Sequence, residues 1–288
     1  MMMPEKTFVL GMGTQKSGTT WLHAYVSAAA AADMGFTKEY KVWDGRSGTK
    51  TARLQLTPRV LFDRNGIRRV AFRRWPSLYF RYFSGLLHGG TTLTGDISPS
   101  YVRLTPTVVQ DVVAGFAARG VHVKVVFLMR DPVERCWSAA RMRARRSDPA
   151  RGDEASVALL RKHFRHPNYQ VRTRYEKVLA NIEASGINAA DVHVALYEEM
   201  FTPREIERLS GFLGIPADPT FGERRVLSAP SRLRPPPELA REVAVFYRET
   251  YAAITDRFPQ ARFLWPGFRL LIDHDRQVAG GDGKSRAA

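Results

Sequence analysis

An apolar run that leads through a glycine-bracketed turn into a helical pattern constrains this chain more than any other feature. Residues 8–23 read Phe-Val-Leu-Gly-Met-Gly-Thr-Gln-Lys-Ser-Gly-Thr-Thr-Trp-Leu-His. Glycine permits a tight turn, and the peptide N–H groups at the start of a helix point at a bound anion. Lys16 adds a positive charge, and Ser17 adds a hydroxyl donor. The segment therefore predicts a strand, a phosphate-binding turn and a helix.

The turn differs from the common nucleoside-triphosphate loop in the place of its lysine. Gly13 and Gly18 have the spacing of that loop, but Thr19 stands at its lysine position. Lys16 comes three residues earlier. This displacement keeps an anion cradle and removes the reach to a third phosphate. It predicts a ligand with a shorter phosphate chain or a different terminal group.

A second phosphate-binding pattern follows a buried strand in the middle of the chain. Residues 121–129 read Val-His-Val-Lys-Val-Val-Phe-Leu-Met, and Arg130-Asp131-Pro132 comes directly after them. Proline suits the first turn of a helix, and Ser138 lies about two helical turns further on. Arg130 offers a planar guanidinium to phosphate oxygens, and Ser138 offers a hydroxyl. Because open α/β sheets bind ligands at the carboxyl ends of their strands, both patterns are expected at one edge of a sheet.

The two patterns resemble the phosphosulfate-binding loop and the 3′-phosphate motif of sulfotransferases, and the chain resembles the heparan-type and related bacterial members. The resemblance implies transfer of a sulfuryl group from 3′-phosphoadenosine 5′-phosphosulfate to a hydroxyl or amine. No Walker-type metal ligands are evident, so no obligatory divalent ion is expected. The resemblance also implies that Ser231 and Arg232 replace a Gly-Arg pair that closes over the 3′-phosphate. The donor-binding residues implied in this way are Gln15, Lys16, Ser17, Gly18, Thr19, Thr20, Trp21, Arg130, Ser138, Tyr175, Ser231 and Arg232.

The same resemblance suggests a catalytic base. Residues 38–41, Lys-Glu-Tyr-Lys, resemble the family's Lys-Glu-x-His stretch, in which the glutamate is taken as the base, although Lys41 replaces the histidine. Glu39 is therefore the predicted base. Ile97 stands where a later family stretch, Gly-Glu-Lys-x-Pro-x-Tyr, has its lysine, which leaves Lys16 and Lys41 to neutralise charge on the transferring group.

Other interpretations of these residues stay open. Lys38, Glu39 and Lys41 would form a solvated charged turn if they followed the usual behaviour of charge runs. His23 and His88 are competing bases. Residues 96–101, Asp-Ile-Ser-Pro-Ser-Tyr, either line an acceptor cavity or form an ordinary turn at the end of a strand.

The order of strand and helix patterns predicts a three-layer α/β sandwich with a central parallel sheet. Strand patterns fall at 7–12, 92–96, 121–129 and 192–197. Helical patterns fall at 18–32, 106–118, 132–147, 154–164, 168–185, 203–214 and 237–257. We expect a single domain over residues 1–276, with an insertion on the acceptor side near 44–90, and a disordered tail over residues 277–288.

Charge and composition bound the partners. The chain has 44 basic and 28 acidic residues, a net charge of +16, which suits an anionic donor, an acidic acceptor, a nucleic acid or a solvated arginine-rich surface. No helix-turn-helix, zinc-finger or aromatic-basic RNA motif is present, so no nucleic-acid partner is expected. No run of eighteen apolar residues and no leader pattern occurs, which predicts a cytoplasmic enzyme acting on a small-molecule, carbohydrate or lipid acceptor.

Two functions from other classes remain as alternatives. A nucleotide or small-molecule kinase would use the same turn, with Asp131 as a ligand to Mg²⁺ at the end of its strand. A non-catalytic nucleic-acid-binding protein would account for the positive charge and predicts salt-sensitive binding. It would leave the paired phosphate motifs without a purpose.

Overall fold

Four parallel strands form the central sheet of the computed structural model, which describes residues 5–45, 63–147, 152–224 and 233–285. The strands are β1 (Thr7–Gly11), β2 (Leu93–Ile97), β3 (His122–Met129) and β4 (Val192–Leu196), in the order β2-β1-β3-β4. Gly11 at the end of β1 is level with Ile97 on one neighbour and Val126 on the other. The carboxyl ends of three strands therefore meet at one edge of the sheet.

Thirteen helices are assigned in the described residues. They are α1 (Thr19–Ala28), α2 (Arg64–Arg74), α3 (Pro76–Leu86), α4 (Pro106–Ala117), α5 (Pro132–Ser147), α6 (Gly152–His163), α7 (Pro167–Gln170), α8 (Tyr175–Ala184), α9 (Pro203–Leu213), α10 (Pro237–Phe246), α11 (Arg248–Arg257), α12 (Ala261–Leu264) and α13 (Pro266–Ser285). Short 3₁₀ turns cover Trp43–Gly45, Pro99–Arg103, Ala189–Asp191 and Pro219–Glu223. None of the described helices is both long enough and apolar enough to cross a bilayer.

Successive residues of β1 face opposite layers of helices. The ring of Phe8 stacks on that of Phe116 in α4 at a centroid distance of 3.9 Å and meets Phe83 in α3 edge-on at 5.0 Å. Val9 belongs to a different buried cluster, which includes Trp21 of α1 and Leu209 of α9. A strand side chain alternates between the two faces of a sheet, so this pattern places helices on both. The predicted three-layer architecture is confirmed.

The chain divides into two compact units. One contains Met1–Met129 and Lys177–Ser228, with the whole sheet, and the other contains Arg130–Glu176 and Ala229–Ala288. In the second unit the described elements are helical, and α5 packs against α6, α10 and α13. The segment near 44–90, predicted as an insertion, contains α2 and α3 in its described part. The last helix runs to Ser285 and so enters the segment 277–288 that was expected to be disordered.

Two predicted helices are each divided into two. The pattern over 168–185 corresponds to α7 and α8, and that over 237–257 corresponds to α10 and α11. Tyr247 lies at the second break with φ −99° and ψ 21°, and its buried hydroxyl donates to the carbonyl of Phe164 at 2.6 Å. Thr173, between α7 and α8, donates to the carbonyl of Tyr169 at 2.7 Å. The side chains at these breaks thus have their own hydrogen-bond partners, which no helical periodicity reveals.

Candidate active site

The turn between β1 and α1 is fixed to the carboxyl end of β3 by backbone hydrogen bonds. The N–H of Thr14 donates to the carbonyl of Leu128 at 2.9 Å, and the N–H of Leu128 donates to the carbonyl of Gly13 at 3.1 Å. Within the turn, the N–H of Ser17 donates to the carbonyl of Thr14 at 3.2 Å. The sheet therefore holds the backbone of the turn in one position.

The helix that follows the turn begins without a side-chain cap. Gly18 is its N-terminal flanking residue, with φ +92°, and makes no side-chain hydrogen bond to the first turn. The N–H of Leu22 is bonded to the carbonyl of Gly18 at 3.0 Å. The N–H groups that precede it in the helix have no intrahelical acceptor by geometry. They present donors and the positive end of the helix dipole to an anion.

Ser17 gives independent evidence that the turn suits an anion. Its side chain is fully buried, and its hydroxyl oxygen has no hydrogen-bond partner among the described residues. Leaving a buried hydroxyl unsatisfied costs about 1–3 kcal/mol. An anionic oxygen bound at the turn would accept a hydrogen bond from it. The turn and its serine thus fit a phosphate or sulfate group.

Trp21, one of the predicted donor-binding residues, lies in the core. Trp21 is buried and stacks on Tyr25 with a centroid distance of 5.2 Å, and its indole N–H donates to the carbonyl of Phe221 at 3.3 Å. The ring and the N–H of this tryptophan are therefore used within the core. Thr19 is also buried, whereas Gln15 and Lys16 in the turn and Thr20 in the first turn of α1 are half-buried.

The predicted base lies between two lysines, and one of these is hydrogen-bonded to the helix that follows the turn. Lys38 Nζ donates to Thr20 Oγ1 and lies 3.6 Å from Glu39 Oε1. Lys41 Nζ lies 2.9 Å from Glu39 Oε2. The Glu39 side chain is 27% exposed, and that of Lys38 is 32% exposed. This half-buried cluster differs from the solvated charged turn that was the alternative.

Burial changes the proton affinities of the groups around Glu39. The pKa of Lys38 is lowered mainly by desolvation, with a contribution from Lys41, while the charge of Glu39 opposes the change. Desolvation and the charge of Lys38 also lower the pKa of His23, which weakens it as a competing base. His23 Nδ1 lies 3.3 Å from the hydroxyl of Ser27 on the same helix. His88 is exposed, and its Nδ1 contacts the carbonyl of Gly85 at 2.8 Å.

A buried polar network holds the segment that carries the base. The N–H groups of residues 40–42 donate in turn to Asp96 Oδ1 at 3.4 Å, to Ser98 Oγ at 3.2 Å and to the Tyr101 hydroxyl at 3.1 Å. The hydroxyls of Ser98 and Tyr101 themselves donate to Asp96 at 2.7 and 2.5 Å. Burial raises the pKa of Asp96 to about 6, and these hydrogen bonds oppose the shift. All three side chains are buried, so they position residues 40–42 instead of lining an open cavity.

The second predicted phosphate motif lies in the helical unit. Arg130 Nη2 donates to Glu134 Oε2 at 3.2 Å, and Glu134 Oε1 also lies 2.6 Å from Arg234 Nη1. Ser138 is half-buried and follows Glu134 by one turn of α5. Tyr175 is fully buried, and its hydroxyl donates to the backbone carbonyl of Arg130 at 2.7 Å. The hydroxyl of Tyr175 therefore fixes the backbone of Arg130, and the nucleotide contact of this residue stays a prediction.

Ser231 and Arg232, the pair predicted at the 3′-phosphate, lie outside the described residues. The residue that follows the pair, Leu233, accepts a hydrogen bond through its carbonyl from Trp137 Nε1 at 3.0 Å. Arg234 is bonded to Glu134 on the same helix. The chain directly after the pair is thus attached to α5, the helix that carries Ser138.

Comparison with solved structures shows which fold this is. A sulfotransferase from Alicyclobacillus acidocaldarius matches with a TM-score of 0.57 at 19% sequence identity, covering 88% of this chain and 96% of that one. The chain has a sulfotransferase fold. The sulfotransferase domain of the Synechococcus PCC 7002 olefin synthase gives a TM-score of 0.44 at 15% identity over 86% and 94% of the two chains. That of the curacin biosynthetic pathway gives 0.42 at 17% identity over 81% and 82%. No family model and no curated protein matches the sequence.

Within this sulfotransferase fold, Asp131 has a structural role. It is fully buried, and Oδ1 accepts from the N–H of Glu134 at 3.0 Å. Oδ2 accepts from the N–H of Gly267 at 2.7 Å and from the hydroxyl of Tyr251 at 3.2 Å. Burial raises the pKa of Asp131 to about 6. Both oxygens are therefore used inside the helical unit, which argues against the Mg²⁺ ligand that a kinase would need.

Sequence reasoning missed Lys38 as a member of the site. The stretch that resembles Lys-Glu-x-His includes Lys38 but gives it no role, whereas its ammonium group contacts both Thr20 and Glu39. Lys41, which was predicted to neutralise charge on the transferring group, is the more exposed of the two lysines and pairs with Glu39. Its backbone carbonyl accepts a hydrogen bond from Arg73 Nη2. The sequence shows that Lys38 is next to the predicted base, but it does not show which groups its side chain contacts.

Proposed function

We propose that this protein is a sulfotransferase that uses 3′-phosphoadenosine 5′-phosphosulfate and sulfates a hydroxyl or amine of an acceptor. The observation that carries the proposal is the half-buried Glu39, linked through Lys38 to Thr20 in the first turn of α1. A base candidate is thereby held beside an uncapped, anion-binding helix start. The sulfotransferase fold supports the same conclusion.

The residues divide the donor between two motifs in this proposal. Residues 15–20 would hold its phosphosulfate end, since Ser17 and the uncapped helix start offer donors there. Arg130 and Ser138 would hold its 3′-phosphate, and Arg130 is the residue that follows the end of β3 in the chain. Ser231 and Arg232 are proposed to complete the 3′-phosphate site. When bound, the donor would supply an activated sulfuryl group whose sulfur is open to attack.

The remaining work is assigned to the chain's own side chains. Glu39 accepts the proton of the acceptor hydroxyl as the acceptor oxygen forms its bond to sulfur. The bond between sulfur and the bridging phosphate oxygen breaks, and Lys16 with the N–H groups of the turn stabilises the negative charge left on that oxygen. Lys38 orients the Glu39 carboxylate, and its ammonium group adds positive charge beside the first turn of α1. Alignment and fixed charge supply most of the rate acceleration.

Lys38 is expected to matter more for turnover than Lys41. Lys38→Ala removes both the contact with Thr20 and one ion pair of Glu39, and we expect kcat to fall roughly 10²-fold. Lys41→Ala removes a more exposed ion pair, whose loss typically changes the free energy by about 1 kcal/mol or less and the rate by about fivefold or less. Both rates are measured at saturating donor, with an acceptor found in a screen of hydroxylated compounds. Equal rates for the two variants contradict this assignment.

Nucleotide binding tests the donor assignment without any acceptor. Calorimetric titration compares 3′-phosphoadenosine 5′-phosphate with AMP, which lacks only the 3′-phosphate. We expect the wild type to prefer the bisphosphate roughly 10- to 100-fold, the range of a charge-assisted phosphate contact. Arg130→Ala should lower this ratio towards one and raise the KM of the donor, with the affinity for AMP nearly unchanged.

The matched control for this titration is Arg204→Ala, which removes one exposed arginine from α9. It should leave the ratio at the wild-type value. A further titration with ADP and Mg²⁺ tests the kinase alternative. If ADP with Mg²⁺ binds more tightly than the adenosine bisphosphate, or if Arg130→Ala leaves the ratio unchanged, the donor assignment is wrong.

A further inference from the structure

One face of α2 and the residue after it expose apolar and cationic side chains together. We call this group the α2 surface; its members are Arg64, Ile67, Arg68, Arg74 and Trp75, and all five are exposed. Ile67 is 47% exposed and Trp75 is 55% exposed. Positions three and four apart lie on the same side of a helix, so Arg64, Ile67 and Arg68 are neighbours.

The rest of α2 fixes the direction of this face. Phe72 is buried, and its ring lies 6.1 Å from that of Phe36. Arg73 donates to the carbonyl of Lys41. Arg68 places its guanidinium carbon 5.4 Å from the centre of the Phe36 ring while its side chain stays exposed. The inner side of α2 is thus packed, and the α2 surface points outward.

Charge on this part of the chain is almost entirely of one sign. Between residues 63 and 90 the sequence contains six arginines and no lysine, and its single acid is Asp63. Asp63 accepts the N–H of Asn65 at 3.0 Å and so caps α2 locally. An anionic partner would therefore meet a surface with little internal neutralisation.

The apolar members decide which anionic partner fits. Arginine alone is well solvated and needs no partner, but exposed Ile67 and Trp75 leave apolar area in water. Nucleic-acid phosphates would pair with the arginines and leave the aliphatic chain of Ile67 unburied. A phospholipid surface satisfies both, because headgroup phosphates meet the arginines while tryptophan and isoleucine enter the boundary of the acyl region. We infer that the α2 surface binds the surface of membranes that contain anionic phospholipids.

Tryptophan fluorescence can test this inference on the intact protein. Trp75 is the exposed tryptophan, and the other four of the five are at most 3% exposed, namely Trp21, Trp43, Trp137 and Trp265. Vesicles of equal parts phosphatidylserine and phosphatidylcholine should shift the emission to shorter wavelength and sediment with the protein. Vesicles of phosphatidylcholine alone should give much weaker binding. Trp75→Phe should remove the emission shift.

Two triple variants separate the contribution of the arginines on the α2 surface from a general effect of net charge. The triple variant Arg64→Gln, Arg68→Gln and Arg74→Gln should weaken binding to the anionic vesicles on the order of 100-fold, at about 1 kcal/mol for each arginine. The control triple variant Arg204→Gln, Arg262→Gln and Arg269→Gln removes the same charge from exposed sites elsewhere and should bind within about threefold of wild type. Ile67→Ser should also weaken binding, whereas Phe263→Ala, at a side chain 77% exposed on α12, should not.

Several results would overturn the inference. Equal affinity for the two kinds of vesicle, equal loss in the two triple variants, or sedimentation without an emission shift each contradict it. So does duplex DNA that binds through the same three arginines more tightly than the anionic vesicles and leaves Trp75 emission unchanged. Because none of these measurements involves the nucleotide, they are independent of the proposed sulfotransferase activity.

Discussion

Replacement of Lys16 by alanine is expected to lower kcat roughly 10²- to 10³-fold, the loss typical of removing one preorganised hydrogen-bond donor to developing negative charge. Lys16 lies in the turn between β1 and α1 with φ +76°, and its side chain is half-buried. In the proposed reaction its ammonium group stabilises negative charge as the bond to sulfur breaks. Ground-state binding of the adenosine bisphosphate, which lacks the sulfuryl group, should weaken far less than turnover.

The stability of the Lys16→Ala variant should stay close to wild type. The residue lies outside the strands and helices, and alanine at a positive φ is strained about as much as lysine is. We expect thermal unfolding within roughly 3 °C of wild type, measured beside the rate. Lys162→Ala, at an exposed lysine of α6, is the control for loss of one positive charge. Full turnover by Lys16→Ala would refute the role of this lysine, and a large fall in melting temperature would assign it to the fold.

The strands of this fold could be read from the sequence because they are buried on both faces. A parallel strand covered by two helical layers needs an almost continuous apolar run, which β1 and the second half of β3 have. The run in β2 is weaker, because that strand reads Leu-Thr-Gly-Asp-Ile. The ends of helices are harder to predict from the sequence than the strands are. At the break the hydroxyl of Tyr247 donates to the carbonyl of Phe164, 83 residues earlier, and distant contacts of this kind leave no local periodicity.

Spacing predicted the phosphate-binding turn but could not say which polar groups face a ligand. Ser17 and Tyr175 were both predicted to bind the donor, yet the first has a buried, unpartnered hydroxyl and the second spends its hydroxyl on the carbonyl of Arg130. Asp131 was weighed as a metal ligand, and three donors from its own unit occupy it. A residue's chemistry is visible in the sequence, whereas the satisfaction of its polar atoms is a property of the packed structure.

The contacts of Lys38 are a second feature of the site that the sequence does not reveal. The contact of Lys38 with Thr20 joins two segments eighteen residues apart in the chain, across the end of α1 and the loop that follows. The loop's path depends on the buried network around Asp96, whose donors come from residues 40–42 and from the turn after β2. In the sequence, Asp96, Ser98 and Tyr101 are compatible with an ordinary turn at the end of a strand. The position of the base could therefore be proposed from sequence, but the residue that links it to the phosphate-binding turn could not.

The most specific test of the base is the isosteric substitution Glu39→Gln. It keeps the size of the side chain and an acceptor oxygen, but it removes the negative charge between Lys38 and Lys41 and the ability to take a proton. We expect kcat to fall roughly 10²- to 10⁴-fold at saturating donor, the range of general-base contributions. Binding of the anionic nucleotide should stay equal or become tighter, because one negative charge beside the turn is lost.

The two effects have opposite signs, and this separates a lost base from a damaged site. A site that no longer folds correctly would lose nucleotide affinity together with turnover. Glu207→Gln, at an exposed position of α9, controls for loss of one acidic charge. His23→Gln is the matched test of the competing base: since burial and Lys38 lower the pKa of His23, we expect less than a fivefold change in kcat. A large loss in His23→Gln with normal turnover in Glu39→Gln would transfer the role of base from the carboxylate to the imidazole.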